Sequence, residues 1–160
     1  MPIQDSGERR IFESGAVRDI QEGKGRCDLL PLGVVASFMS NKILGQINLF
    51  VERGNKSALE IALEMFISDF YNGRFSHAML DVAIHYEEGC NKYGDRNWEL
   101  GIPLHCFIDS GVRHYLKHLR GDTDENHGRA FVWNMLGAIW TVKNRPECCD
   151  LPCFEKEENK

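Results

Sequence analysis

The sequence contains no apolar run approaching the ~20 residues that a membrane-spanning helix needs. Its first residues, MPIQDSGERR, hold no apolar signal region. The expectation is therefore a cytoplasmic protein with no membrane partner. Strand-type alternation is nearly absent, which argues against an all-β fold. An excess of basic residues is also missing. The net charge of −5 disfavours nonspecific binding to nucleic acid, and no nucleic-acid partner is expected. An anionic small ligand stays open, because one metal ion or a few local cations can reverse the field inside a pocket. There is no Walker loop either. The GK pair at Gly23–Lys24 lacks the upstream glycine, the following Ser or Thr and the flanking strand. Of the six cysteines (Cys27, Cys90, Cys106, Cys148, Cys149 and Cys153), the three that cluster near the C-terminus match no common zinc-finger spacing. In a reducing compartment they are expected to be thiols. The CCDLPC run at 148–153 reads as the start of a solvated, charged tail, with zinc binding as the alternative.

What is present is a helical pattern. A chain of 160 residues is expected to form one domain, long enough to bury a core without staples. Residues 1–30 read as an irregular arm belonging to that domain, 31–146 as its helical body and 147–160 as a mobile tail. Six helices are expected: from Pro31 through PLGVVASFM; over KILGQINLFVER to Gly54; from Ser57 to about Tyr71; from Ser76 to Gly94; from Pro103 to Gly121; and from Asp122–Asp124 to about Val142. Ser57 and Glu60 sit at capping-box spacing, Asn72–Gly73 reads as a stop, and Pro31 suits a first turn. Short links between the segments make the fold class an all-α, compact helical bundle of about five to six helices.

Polar residues interrupt the apolar faces of the last three helices. His127 and Asn134 share a stripe with Ala130, Phe131, Gly137 and Ala138, and Asp124 joins it three residues earlier. Buried polar groups need partners, so this stripe reads as a core hydrogen-bond network or as a site. Asp109 and Arg113 are spaced for an ion pair. His77, Asp81, His85 and Glu88 form one line on the fourth helix, either a solvated face or metal ligands. His85/Glu88 facing Asp124/His127 would give two i,i+3 pairs, a known way to build a metal site in a bundle core. Such a carboxylate-bearing site suits Mg²⁺ or Mn²⁺ with a phosphate substrate.

Three blocks carry a resemblance: GAVRDIQEGKGRCDLLP, KYGDRNWELGIP and DSGVRHYLKHLRGDTDENHGRAFVWN. Together, over roughly residues 12–32 and 85–140, they resemble a family of mostly phage and prophage proteins described as dATP/dGTP diphosphohydrolases. These are the MazZ-type relatives of the MazG-like all-α nucleoside-triphosphate pyrophosphohydrolases. Residues 41–75 carry no recognised motif.

The resemblance implies hydrolysis of a deoxypurine triphosphate to monophosphate and pyrophosphate, with Mg²⁺ or Mn²⁺ as cofactor, in a homodimer or homotetramer in the cytoplasm of a bacterial or phage-infected cell. MazG-like enzymes hold the cation with an ExxE…ExxD pattern. This chain departs from it, offering His85/Glu88 and Asp124/His127 at a longer gap. Catalytic candidates are Asp124, Glu125, Arg113 and His114. Metal candidates are Asp124, Glu125, Asp109, His127 and Glu88. Arg suits phosphate because its fork donates bidentately. Arg18, Lys24 and Arg26, set among Gly15, Gly23 and Gly25, would form a phosphate-side lid. Lys92 and Arg96 would also meet phosphate, Tyr93 and Trp98 would stack on the base, and Asn97 would read its edge, with Asn134 also assigned to substrate. The alternatives are a mobile arm, a structural Trp98 and a turn-capping Asn97. At the level of function they are a nucleotide-binding regulator without turnover and a helical interaction protein.

Overall fold

Seven α-helices, one antiparallel hairpin and three 3₁₀ turns make up the described part of the chain, seen in a computed structural model that describes residue 3 and residues 5–155. The tail expected over 156–160 lies outside the described residues. Among the described residues no helix is long and apolar enough to cross a membrane.

The helices are α1 (Leu32–Met39), α2 (Lys42–Arg53), α3 (Lys56–Tyr71), α4 (Phe75–Tyr93), α5 (Leu104–Arg120), α6 (His127–Asn144) and a short α7 (Pro152–Glu155). Their ends follow local chemistry. Asn41 accepts from the Leu44 amide to open α2, and Gly54 closes it at positive φ. Two expected starts are corrected. Asn55, not Ser57, caps α3, because its side chain accepts from the Ser57 amide. α6 begins at His127, not at 122–124, because Asn126 accepts from the Arg129 amide and fixes the first turn there. Asp124 and Glu125 therefore lie in the loop before α6, beside its first residue.

The centre is the α5–α6 pair. His114 faces His127, Gly111 faces Asn134, and Phe107 faces Gly137, so the helices run antiparallel. The approach is close: a Cβ on Gly137 would collide with the Phe107 ring, and one on Gly111 would stand 2.6 Å from Met135 Cε. α3 adds Phe66, whose ring lies 4.7 Å from Phe131 and 6.2 Å from Tyr115. α4 packs on α6 more lightly and buries only Ala78 and Val82.

The first thirty residues are not helical in the main. Strands β1 (Arg9–Ile11) and β2 (Val17–Asp19) form a hairpin in which Arg10 pairs with Arg18, and a 3₁₀ turn follows at Cys27–Leu29. Residues 147–155 are corrected as well. They do not extend as a solvated tail: Leu151 is buried, Phe154 tilts against Phe50, and Asp150 accepts from the His105 amide. Their cysteines are free thiols.

Candidate active site

The arm is tied across one face of the bundle at four points. The Asn97 side chain behaves like a strand, accepting from the Val17 amide at 2.7 Å and donating to the Val17 carbonyl at 2.8 Å. Asp19 gathers Lys92 at 2.7 Å, the Tyr93 hydroxyl at 2.9 Å and Arg9 at 2.9 Å. Asp109, buried on α5, accepts from the Cys27 amide at 2.7 Å and from Arg113. Arg113 also donates to the carbonyls of Lys24 and Gly25. The ties at Asn97, Asp109 and Arg113 satisfy backbone groups of the arm, and the one at Asp19 is made between side chains.

Between arm and bundle lies a cleft of about 550 Å³. β2 and the loop after it form one wall. His85, Gly89 and Tyr93 of α4, Ser110, Arg113, His114 and Lys117 of α5, and Trp133 and Asn134 of α6 form the rest, with Asp124 and Glu125 at one end. Arg18 enters the cleft beside Ser110 and Asn134. It donates to Ser110 at 3.1 Å and Asn134 at 3.4 Å, and it covers the rings of Trp133 and Phe107 at 5.4 and 5.6 Å. Its Nη1 is buried with no hydrogen-bond partner, as is Arg10 Nε. Among the described residues no carboxylate lies within ion-pair distance of Arg18. Burial lowers the pKa of Arg18 and of Lys24. Arg10 stands opposite Arg18 in the hairpin, and like charges directly opposite repel.

A convergent donor set lies beside Asp124. His114 Nδ1 lies 2.9 Å from His127 Nδ1 and 3.2 Å from Glu125 Oε1, and His127 Nδ1 lies 3.7 Å from the same oxygen. His127 Nε2 donates to Asp124 Oδ1 at 2.7 Å, which leaves the Nδ1 lone pair on the His114 side. Burial first, then His127, holds His114 well below the usual imidazole range. These three side chains are close enough to share a metal ion, as are Asp122, Asp124 and His127. Asp122, however, is engaged by Arg120 through Nε and Nη2.

Several expected roles are redirected. Asp109 and Arg113 line the cleft, yet their polar atoms hold the arm. Lys92, Tyr93 and Asn97 do the same, and only Tyr93 and Asn97 of these line the cleft. Arg96 is exposed and paired with Glu99 at 2.5 Å, and Arg26 turns to Asp28; neither lines the cleft. Trp98 packs edge-on to Trp140 at 4.9 Å and Tyr86 at 6.0 Å. Trp133 is the tryptophan that lines the cleft. The expected pairing of His85/Glu88 with Asp124/His127 does not form. His85 stacks near Trp133 and burial presses its pKa down to about 4. Glu88 accepts from the Ile3 amide and sits 4.0 Å from Arg129, while Asp81 takes Arg129 at 2.7 Å. The line on α4 thus neutralises a buried arginine. Arg18, Lys24, His114, Asp124, Glu125 and Asn134 do line the cleft, and His127 backs it.

Sequence reasoning missed Arg10, Ser110, Lys117 and Trp133. For Ser110 and Lys117 a signal existed: they extend the Arg113–His114 face by one turn on each side. Arg10 carried none until the hairpin register was known.

No curated protein and no solved structure matches the chain. Residues 58–150 match the family described as dATP/dGTP diphosphohydrolase, N-terminal. That span covers more than half of the chain and includes α4, α5 and α6, while the arm precedes it. The chain belongs to the dATP/dGTP diphosphohydrolase family.

Proposed function

We propose that the cleft binds dATP or dGTP and hydrolyses it to the deoxynucleoside monophosphate and pyrophosphate, in a reaction that depends on a divalent ion. The observation that carries this reading is Arg18, a cation that lines the cleft with no carboxylate within ion-pair distance among the described residues, in the same cleft that gathers His114, Glu125 and His127. A buried cation without a counter-ion is costly, and a polyphosphate in the cleft removes that cost.

In the reaction, water attacks the α-phosphorus. The bond to the bridging oxygen breaks, and pyrophosphate departs with the electron pair. Arg10, Arg18 and Lys24 hold phosphate oxygens and neutralise the charge that develops on the leaving group. Ser110 and Asn134 hold the Arg18 fork in place. The donor set of two imidazoles and a carboxylate fits a divalent ion, and His114, His127 and Glu125 would hold it, with Asp124 orienting His127. Such an ion, when bound, polarises a phosphoryl oxygen and acidifies a coordinated water. A second copy of the chain is the expected partner. The outward apolar side chains of α4, Phe75, Leu80 and Ile84, support that expectation, and light scattering of the purified chain tests it.

The binding half is tested by thermal unfolding with dATP, dGTP and pyrophosphate, each with and without a divalent ion. Wild type is expected to be stabilised only when nucleotide and ion are both present. Arg18→Met is expected to lose that stabilisation. No shift with any nucleotide would remove the nucleotide reading. A shift without turnover would leave a nucleotide-binding regulator.

A further inference from the structure

We infer that the resident ion of this cleft is an imidazole-preferring first-row divalent ion, of the iron, cobalt, nickel or zinc class, held by His114 Nδ1, His127 Nδ1 and Glu125 Oε1 rather than a magnesium ion held by carboxylates. The inference deepens the hydrolase reading and rests on it for the ion's purpose, while the site itself stands on geometry. The three donor atoms form a triangle with edges of 2.9, 3.2 and 3.7 Å. Neighbouring ligands of an octahedral ion with bonds of ~2.1 Å stand ~3 Å apart, so this triangle is of the right size. Two imidazoles and one carboxylate with open positions are the ligand set of iron-type and related sites. Magnesium takes oxygen ligands and keeps its waters.

Among the described residues, the carboxylates of α4, α5 and the loop before Asp124 that could add oxygen ligands are engaged elsewhere. Asp109 accepts from Cys27 and Arg113, Asp81 from Arg129 and Tyr71, and Asp122 from Arg120. Glu88 accepts from the Ile3 amide and lies beside Arg129. Asp124 stands behind His127 at 2.7 Å. This is the carboxylate–histidine support that fixes a ring's tautomer and turns its other nitrogen to a metal. His114 and Glu125 line the cleft, so the remaining positions on the ion would open to substrate and water.

The test strips the full chain with a chelator and titrates it with Co²⁺. The expected result is a visible d–d band that saturates stoichiometrically, survives a large excess of Mg²⁺ and disappears on adding Zn²⁺. The band should be lost in His114→Ala and Glu125→Gln, each checked for native helicity by circular dichroism. Asp124→Asn should weaken Co²⁺ binding by roughly 10–100-fold. A wild-type chain that gives no protein-dependent band, or a band removed by Mg²⁺ at comparable concentration, overturns the inference without any variant. So does a folded His114→Ala that keeps the band. The two readings fail separately. A robust Co²⁺ band with no dATP or dGTP hydrolysis would remove the hydrolase reading alone. Hydrolysis with Mg²⁺ in a chain that never forms the band would remove only the ion assignment.

Discussion

Arg18 is a residue that the fold would not choose for stability. Its side chain is buried against Phe107 and Trp133 with one nitrogen unpartnered, and a buried polar group left so costs roughly 1–3 kcal/mol, more when charged. Arg18→Met is therefore expected to melt, without ligand, at or above the wild-type temperature while kcat/KM falls by about 100-fold or more. A loss of stability with activity intact would assign Arg18 to the fold instead. A second prediction concerns His105, away from the cleft. Asp150, 2.5 Å away, raises its pKa from the ordinary 6.5 to about 10. A raised imidazole pKa stabilises the fold fully below the unfolded value and loses that contribution as pH rises through the folded one. Discounted for exposure, the pair contributes about 1 kcal/mol. Asp150→Asn should thus narrow its deficit against wild type between pH 7 and pH ~10.5 in thermal melts; a constant deficit would contradict the pair. The sequence made Arg18 legible as a cation among glycines. It hid Arg10, because the pairing of Arg10 with Arg18 exists only through hairpin register.

At the scale of elements, helix ends were legible because they are written locally: Gly54, Asn72, Gly94 and Gly121 each close a helix within reach of its own last turn. The roles of Lys92, Tyr93 and Asn97 were not, since their partners lie about 70–80 residues away in the arm. Their polarity was read as substrate chemistry when its use is to pin β2. Asn97→Ala removes both bonds to Val17 and should cost about 1–3 kcal/mol, with amides of residues 9–19 exchanging faster than those of α5 and α6. Unchanged exchange in the arm would mean that the ties at Asp19, Asp109 and Arg113 hold it without Asn97. The α5–α6 seam gives another test. Gly137→Ala forces a methyl into the Phe107 ring and should destabilise by about 1–3 kcal/mol. Gly111→Ala should cost less, because the atom it meets is the flexible end of Met135. Equal costs would contradict the packing described.

For the whole molecule, the all-α bundle followed from the helical period and short links, and the family followed from three blocks, of which the second and third fall within the matched residues 58–150. What the sequence could not convey was the direction of each polar side chain. Glu88 and Asp109 share residue type with metal ligands but answer to Arg129, Arg113 and the arm, whereas His114 joins His127 only because antiparallel α5 and α6 bring residues 13 positions apart within 2.9 Å. The central claim is a cleft with a polyphosphate-binding cation end and a metal-binding end, cutting between the α- and β-phosphates. The most direct test is product analysis after incubation of the purified chain with dGTP or dATP and a divalent ion. The account predicts the deoxynucleoside monophosphate and pyrophosphate in equal amounts, with both lost in Arg18→Met and Glu125→Gln. Tripolyphosphate or orthophosphate as the product, or full activity in both variants, would contradict it.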